Sequence, residues 1–128
     1  MGIDRDTFYG HPAIGVAAMA FCYPGTVRGS DLPAPTRCAP LWRERLLAAL
    51  PNVELTLLLG RPAQLWSLGD RAGLSVDATV RAWRDYLPGA LVLPHPSWRN
   101  TAWLKRNPWV EDEIADYLRR RVAAVIAA

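Results

Sequence analysis

The run Glu54-Leu55-Thr56-Leu57-Leu58-Leu59, closed by Gly60, is almost unbroken in apolar character. A strand of that pattern has both faces covered, which marks a parallel sheet rather than a half-wet antiparallel one. A second, shorter run, Ala90-Leu91-Val92-Leu93, stops at Pro94-His95-Pro96-Ser97. Between the two, Arg61 to Leu68 reads as a short helix ending at Gly69, and Val76 to Tyr86 as a second helix closed by Pro88-Gly89. Upstream, Ile14 to Phe21 reads as a further buried strand that leaves the core at the turn Cys22-Tyr23-Pro24-Gly25. Thr26 to Cys38, with Gly29, Pro33 and Pro35 and no apolar periodicity, reads as a long loop of the kind that is functional or mobile. Pro40 to Leu50 places Leu41, Trp42, the stem of Arg45, Leu46, Ala49 and Leu50 at helical spacing. Asn100 to Arg106 and Pro108 to about Val125 are the last predicted helices. Asn107 is the predicted N-cap of the final one, whose acidic start and Arg119 to Arg121 suit the helix dipole.

Strands alternating with helices give an α/β fold class: three layers, α/β/α, around a short and mostly parallel central sheet. A chain of 128 residues is expected to form a single domain over residues 1–128 with one core. Hydrophobic residues make up 51% and charged residues 21%, which excludes a disordered chain. The apolar runs Ala13 to Cys22 and Leu55 to Leu59 fall short of the roughly 18 residues of a membrane span, so a soluble, cytoplasmic chain with no membrane partner is expected. Net charge is only +3, yet all the basic residues but Lys105 are Arg, the side chain suited to bidentate phosphate contacts. An Arg-rich composition with no partner meaning reads the same way. The sequence leaves the oligomeric state open.

In parallel sheets, ligands gather at the carboxyl ends of strands. Three segments end there: Phe21 to Pro24, Gly60-Arg61, and Pro94 to Ser97. His95 sits between two prolines that restrict the backbone, so its imidazole is a candidate preorganised hydrogen-bond donor; a turn histidine that merely bonds a carbonyl is the plain alternative. Ser97 offers a hydroxyl and a backbone N–H to a phosphate. Arg99, Lys105 and Arg106 surround Trp98 and Trp103, the aromatic and basic texture of a nucleic-acid surface and equally of a solvated helix over two core tryptophans. Of the six Trp, only Trp98 is expected outside the core. Cys22 and Cys38 are a poor disulfide framework, and with His11 and His95 they fit no compact zinc spacing.

The stretch Leu93 to Asn100, Leu-Pro-His-Pro-Ser-Trp-Arg-Asn, preceded by Leu57 to Ala63, Leu-Leu-Leu-Gly-Arg-Pro-Ala, resembles the uracil-DNA glycosylase superfamily, whose second active-site motif is a His-Pro-Ser or His-Pro-Ala loop after the last strand. The resemblance is nearest to the iron-sulfur, family 4-like bacterial branch. There two cluster cysteines bracket a Pro/Gly-rich loop, as Cys22 in Cys22-Tyr23-Pro24-Gly25 and Cys38 in Arg37-Cys38-Ala39-Pro40 do here. The resemblance implies base-excision repair by hydrolysis of the N-glycosidic bond of uracil in single- or double-stranded DNA. His95 would be the catalytic group, stabilising charge on the departing base. Pro96, Ser97 and Trp98 would press on the duplex so that the nucleotide leaves the stack, with Arg99 and Lys105 on phosphates.

Several family features have no counterpart in the sequence. No Gly-Gln-x-Pro-Gly loop supplies a water-activating residue, no Cys-x-x-Cys supplies the other two cluster ligands, and Ala17-Ala18-Met19-Ala20 lacks a uracil-reading Asn. Two thiolates do not hold a four-iron cluster. A 4Fe-4S cluster is thus expected only of a full-length form, with Cys22 and Cys38 as half its site, and no cofactor in this chain alone. Met1 to Tyr9 resembles the end of the helix after the first motif, so the expectation is an N-terminally truncated member with the first strand missing. Either Ile14 to Phe21 then pairs directly with Glu54 to Leu59, or the chain is marginally stable. The alternative to an enzyme is a catalytically weak or inactive DNA-binding remnant of the family.

Overall fold

Parallel pairing of two short strands organises the larger of two units into which the chain divides; a computed structural model describes it over Met1–Ala128. The larger unit takes in Met1–Gly15 and Glu54–Ala128, and the smaller is Val16–Val53. In chain order the elements are α1 (Arg5–Gly10), a hairpin of β1 (Thr26–Val27) and β2 (Ser30–Asp31), α2 (Cys38–Ala48), β3 (Thr56–Leu59), α3 (Arg61–Leu68), α4 (Val76–Arg81), β4 (Ala90–Leu93), α5 (Thr101–Arg106), and a π-helical segment, Val110–Ala115, that runs into α6 (Asp116–Ile126). The fold is mixed α/β, with helices about a short parallel sheet, as the alternation of patterns predicts.

In the larger unit β3 and β4 run parallel in the register Thr56 to Ala90 through Leu59 to Leu93. Helices α3 and α4 form the crossover between them. Ser75 caps α4 by accepting from Ala78 N at 3.1 Å. Leu58, Leu91 and Val92 of the strands, Val80 of α4, and Trp83 and Tyr86 of the following 3-10 turn are buried together. Val110, Ile114, Leu118 and Val122 close the same core at intervals of four residues, so one face of the C-terminal helix is apolar throughout. Asn107 does not cap that helix with its side chain. Its Oδ1 is taken by Arg81 Nη2 at 2.8 Å and Trp109 Nε1 at 3.1 Å, while its Nδ2 donates to Trp103 O at 2.8 Å. The buried amide therefore ties α4, α5 and the helix start together, and only its backbone carbonyl receives Val110 N.

Two expectations about residues 14–38 are corrected. Ile14 to Phe21 is not a strand and does not pair with β3, which has β4 as its one neighbour. Gly15, Ala17, Ala18 and Ala20 bury little area and have low strand propensity, so the run gains little from pairing. Val16 stays 77% exposed, and the carbonyl of Ala18 accepts from Arg43 Nη1 at 3.2 Å instead of from a ladder partner. The long loop contains a two-residue hairpin. Arg28 (φ 52°) and Gly29 (φ 77°) both take left-handed conformations, the turn that matches the twist of antiparallel strands. In α2, which starts at Cys38, the buried residues are Cys38, Ala39 and Arg43. The predicted apolar stripe is largely outside, with Leu41 and Trp42 exposed.

Candidate functional site

Gly60 and His95 stand at the carboxyl ends of β3 and β4. Gly60 has φ 81°, and a Cβ placed on it would lie 3.1 Å from His95 Cβ. A side chain there would strain the backbone and press on the histidine at once, so glycine is required. Its N–H donates to Leu93 O at 3.0 Å, and Gln64 Nε2, from the first turn of α3, reaches the same carbonyl at 2.9 Å. The end of β4 is thus fastened to the turn that follows β3.

From there Pro94 is buried and His95 emerges exposed. The loop closes on the backbone carbonyl of His95, which accepts from Ser97 N at 2.8 Å and from Asn100 Nδ2 at 2.6 Å. Ser97 Oγ in turn accepts from Arg99 N at 3.2 Å and starts the 3-10 turn Trp98–Asn100. With the two prolines, these bonds hold the main chain about the imidazole in one shape and leave the ring outside. An exposed ring on a fixed loop can donate to a carbonyl oxygen of a docked base and stabilise negative charge developing there.

The expected DNA-contact residues are placed as follows. Pro96 is exposed beside His95. Ser97 keeps its hydroxyl proton free, but its backbone N–H is committed to His95 O, which corrects the expectation that this N–H serves a phosphate. Trp98 is 81% exposed, and the Arg99 guanidinium lies 5.8 Å from its ring centroid, a cation–π contact that presents ring and charge side by side. Lys105 and Arg106 are exposed in the last turn of α5, Arg106 bonding Ala102 O at 3.2 Å. Trp103 is an anchor rather than a platform: it is half-buried, its Nε1 donates to Asp77 Oδ1 at 2.9 Å, and it meets Trp109 edge-on at 6.4 Å. The bond from Arg81, with that from Trp103 second, holds the Asp77 carboxyl below its ordinary range. Arg61, at a strand end, spends Nη1 on Gly73 O at 2.6 Å.

Sequence reasoning placed Gly60 at a strand end where ligands gather but did not see its close approach to His95, and it assigned no individual role to Gln64 or Asn100. A glycine that ends a buried strand was a usable signal for the first. Nothing local announces Gln64, whose partner is a carbonyl of another element, and Asn100 bonds the His95 carbonyl of its own loop through a pairing that no residue pattern marks.

Cys22 is exposed and Cys38 is buried. The chain holds two cysteines in all, and no group of three or more His, Cys, Asp or Glu is gathered as metal ligands. The residues present do not fit a four-thiolate cluster. No helix is long and apolar enough to cross a membrane.

Fold and loop together define an α/β protein that carries a fixed, exposed imidazole at the carboxyl end of its parallel strands. The family model of the uracil DNA glycosylase superfamily matches residues 1–119, and the chain belongs to that superfamily. At the level of the family this is a uracil-DNA glycosylase-like function, in a superfamily of DNA-repair hydrolases that act on DNA.

Proposed function

We propose that the chain hydrolyses the N-glycosidic bond of uracil in DNA, with His95 as the catalytic group. The observation that carries this reading is the exposed ring of His95 on a loop whose backbone is fixed by Ser97 N and Asn100 Nδ2. In the reaction the bond between base and sugar breaks with its electron pair leaving on uracil, oxocarbenium character builds on the deoxyribose until water bonds its anomeric carbon and gives up a proton, and the departing uracil gains negative charge on its carbonyl oxygens before it is protonated. A hydrogen bond from the imidazole strengthens as that charge grows. Pro96, Ser97 and Trp98 form the element pressed against the strand when the nucleotide is extruded, and Arg99 and Lys105 neutralise phosphates.

Within the superfamily, the sequence contexts of Cys22 and Cys38 favour the iron-sulfur branch. No step of the proposal passes through a cluster. A second reading is a DNA-binding remnant with little turnover, favoured by the lack of a Gly-Gln-x-Pro-Gly element among the 128 residues. Incubation with uracil-containing single-stranded DNA, followed by alkali, separates the two. Strand cleavage that drops about 100-fold or more in His95→Ala supports the enzyme. Binding without cleavage supports the remnant.

A further inference from the structure

Gln64 is fully buried, at 0% exposure, in the first turn of α3. Its Nε2 donates to Leu93 O, yet its Oε1 meets no donor from any other residue of the chain. Turning the amide over does not cure this. Leu93 O can only accept, so the nitrogen must face it and the oxygen must face elsewhere. Leu93 O also has a bond from Gly60 N at 3.0 Å, so a hydrocarbon side chain at 64 would orphan nothing and would remove a buried acceptor. By interior energetics alone glutamine is a poor occupant of this position.

Its location supplies a different reason. Leu93 is the last residue of β4, and His95 follows after one buried proline. The direction of the Leu93 carbonyl fixes the peptide plane from which the His95 loop departs, and two donors, Gly60 N and Gln64 Nε2, grip that oxygen. Gly60 is also the residue whose missing side chain makes room for His95 Cβ. Gln64 thus links the helix after β3, the end of β4 and the root of the histidine loop.

We propose that Gln64 is a positioning residue for His95, its carboxamide setting the Leu93-Pro94 peptide plane so that the imidazole is presented in one place. The proposal rests on the role given to His95 above. It makes stability and activity respond in opposite directions. In Gln64→Met the melting temperature stays level or rises, because a buried orphan acceptor is gone and Leu93 O keeps one donor. The 1H–13C signals of the His95 ring shift or split, and uracil release slows about tenfold with KM for the DNA unchanged. Imidazole signals superimposable on those of the unaltered chain overturn the proposal, as does a lower melting temperature with the ring signals unmoved. If Gln64→Met does not fold, Gln64→Leu, which likewise removes both the amide donor and the buried acceptor, is read in the same way. Should His95→Ala release uracil as fast as the unaltered chain, the role of His95 fails instead, and the ring signals alone then decide whether Gln64 places it.

Discussion

The β3–α3–α4–β4 region and the Val16–Val53 unit are built on opposite terms. In the first, Leu58, Val80, Leu91 and Val92 have almost no contact with solvent, and Ile114 of the C-terminal helix closes over them in the same core. In the second, the fully covered positions are a cysteine, an alanine and an arginine, whereas Leu41 is 59% and Trp42 50% exposed. Both stretches are rich in apolar residues. What separates them is whether those residues recur at a spacing that gives one helix or strand a single apolar face opposite another element that has one too. The histidine loop springs from the first region, so the candidate site is mounted on the part of the molecule with a dry core.

Substitution in that core tests the contrast most strongly. Leu91→Ala removes a side chain with no solvent contact from the centre of β4, and a loss of about 2–5 kcal/mol is expected in denaturant unfolding. A loss of that size is a large fraction of the whole stability of a small domain. A loss below about 0.5 kcal/mol would mean that the two regions are packed alike.

The same contrast explains what could be read in the sequence. The run at Ala90 to Leu93 was legible because a buried parallel strand is apolar on both faces, as Leu91 and Val92 are here; Leu57 to Leu59 was legible as a strand, but only Leu58 of it is buried and Leu59 is 38% exposed, so the expected cover on both faces is corrected there. His95 was legible because two prolines and a strand end fix it locally. Ile14 to Phe21 has a similar apolar content but misled. Hydropathy cannot tell a run that has a ladder partner from one that has none, and four small residues make pairing unrewarding. Arg28-Gly29 was a hairpin signal hidden among prolines. Asn107 shows a further limit, because an asparagine before a helix reads as a cap until a distant donor, Arg81, and a near one, Trp109, claim its oxygen.

An effect of intermediate size is expected at the edge of the well-packed region, where Asp77 holds Arg81 and Trp103. The Asp77 carboxyl is depressed in the folded state, so its contribution is present above the ordinary carboxylate value and is lost as pH falls through the lower, folded value. Acidification from neutrality to about pH 5 should therefore leave Trp103 in place, and its release should begin only below about pH 4, seen as a change in tryptophan fluorescence. In Asp77→Asn the Arg81 ion pair is gone, and this pH-dependent step should vanish, with a smaller stability loss than in Leu91→Ala. A fluorescence step that persists in Asp77→Asn would assign it to another carboxylate.

The smallest change is expected on α2. Leu41 makes its chief contact with water, so Leu41→Ser exchanges an exposed apolar surface for a polar one and buries nothing less than before. Serine is a slightly weaker helix former than leucine, by a few tenths of a kcal/mol, and no packing term adds to this. Thermal unfolding should move by less than about 0.5 kcal/mol, and solubility should rise because an apolar side chain leaves the surface. The informative failure is a large loss. A fall of about 2 kcal/mol in Leu41→Ser would show that the side chain is covered in solution, for only a buried leucine costs that much to remove. The apolar residues of Val16–Val53 would then belong to a packed face after all, and the contrast with the β3–β4 region would reduce to a difference in what covers each.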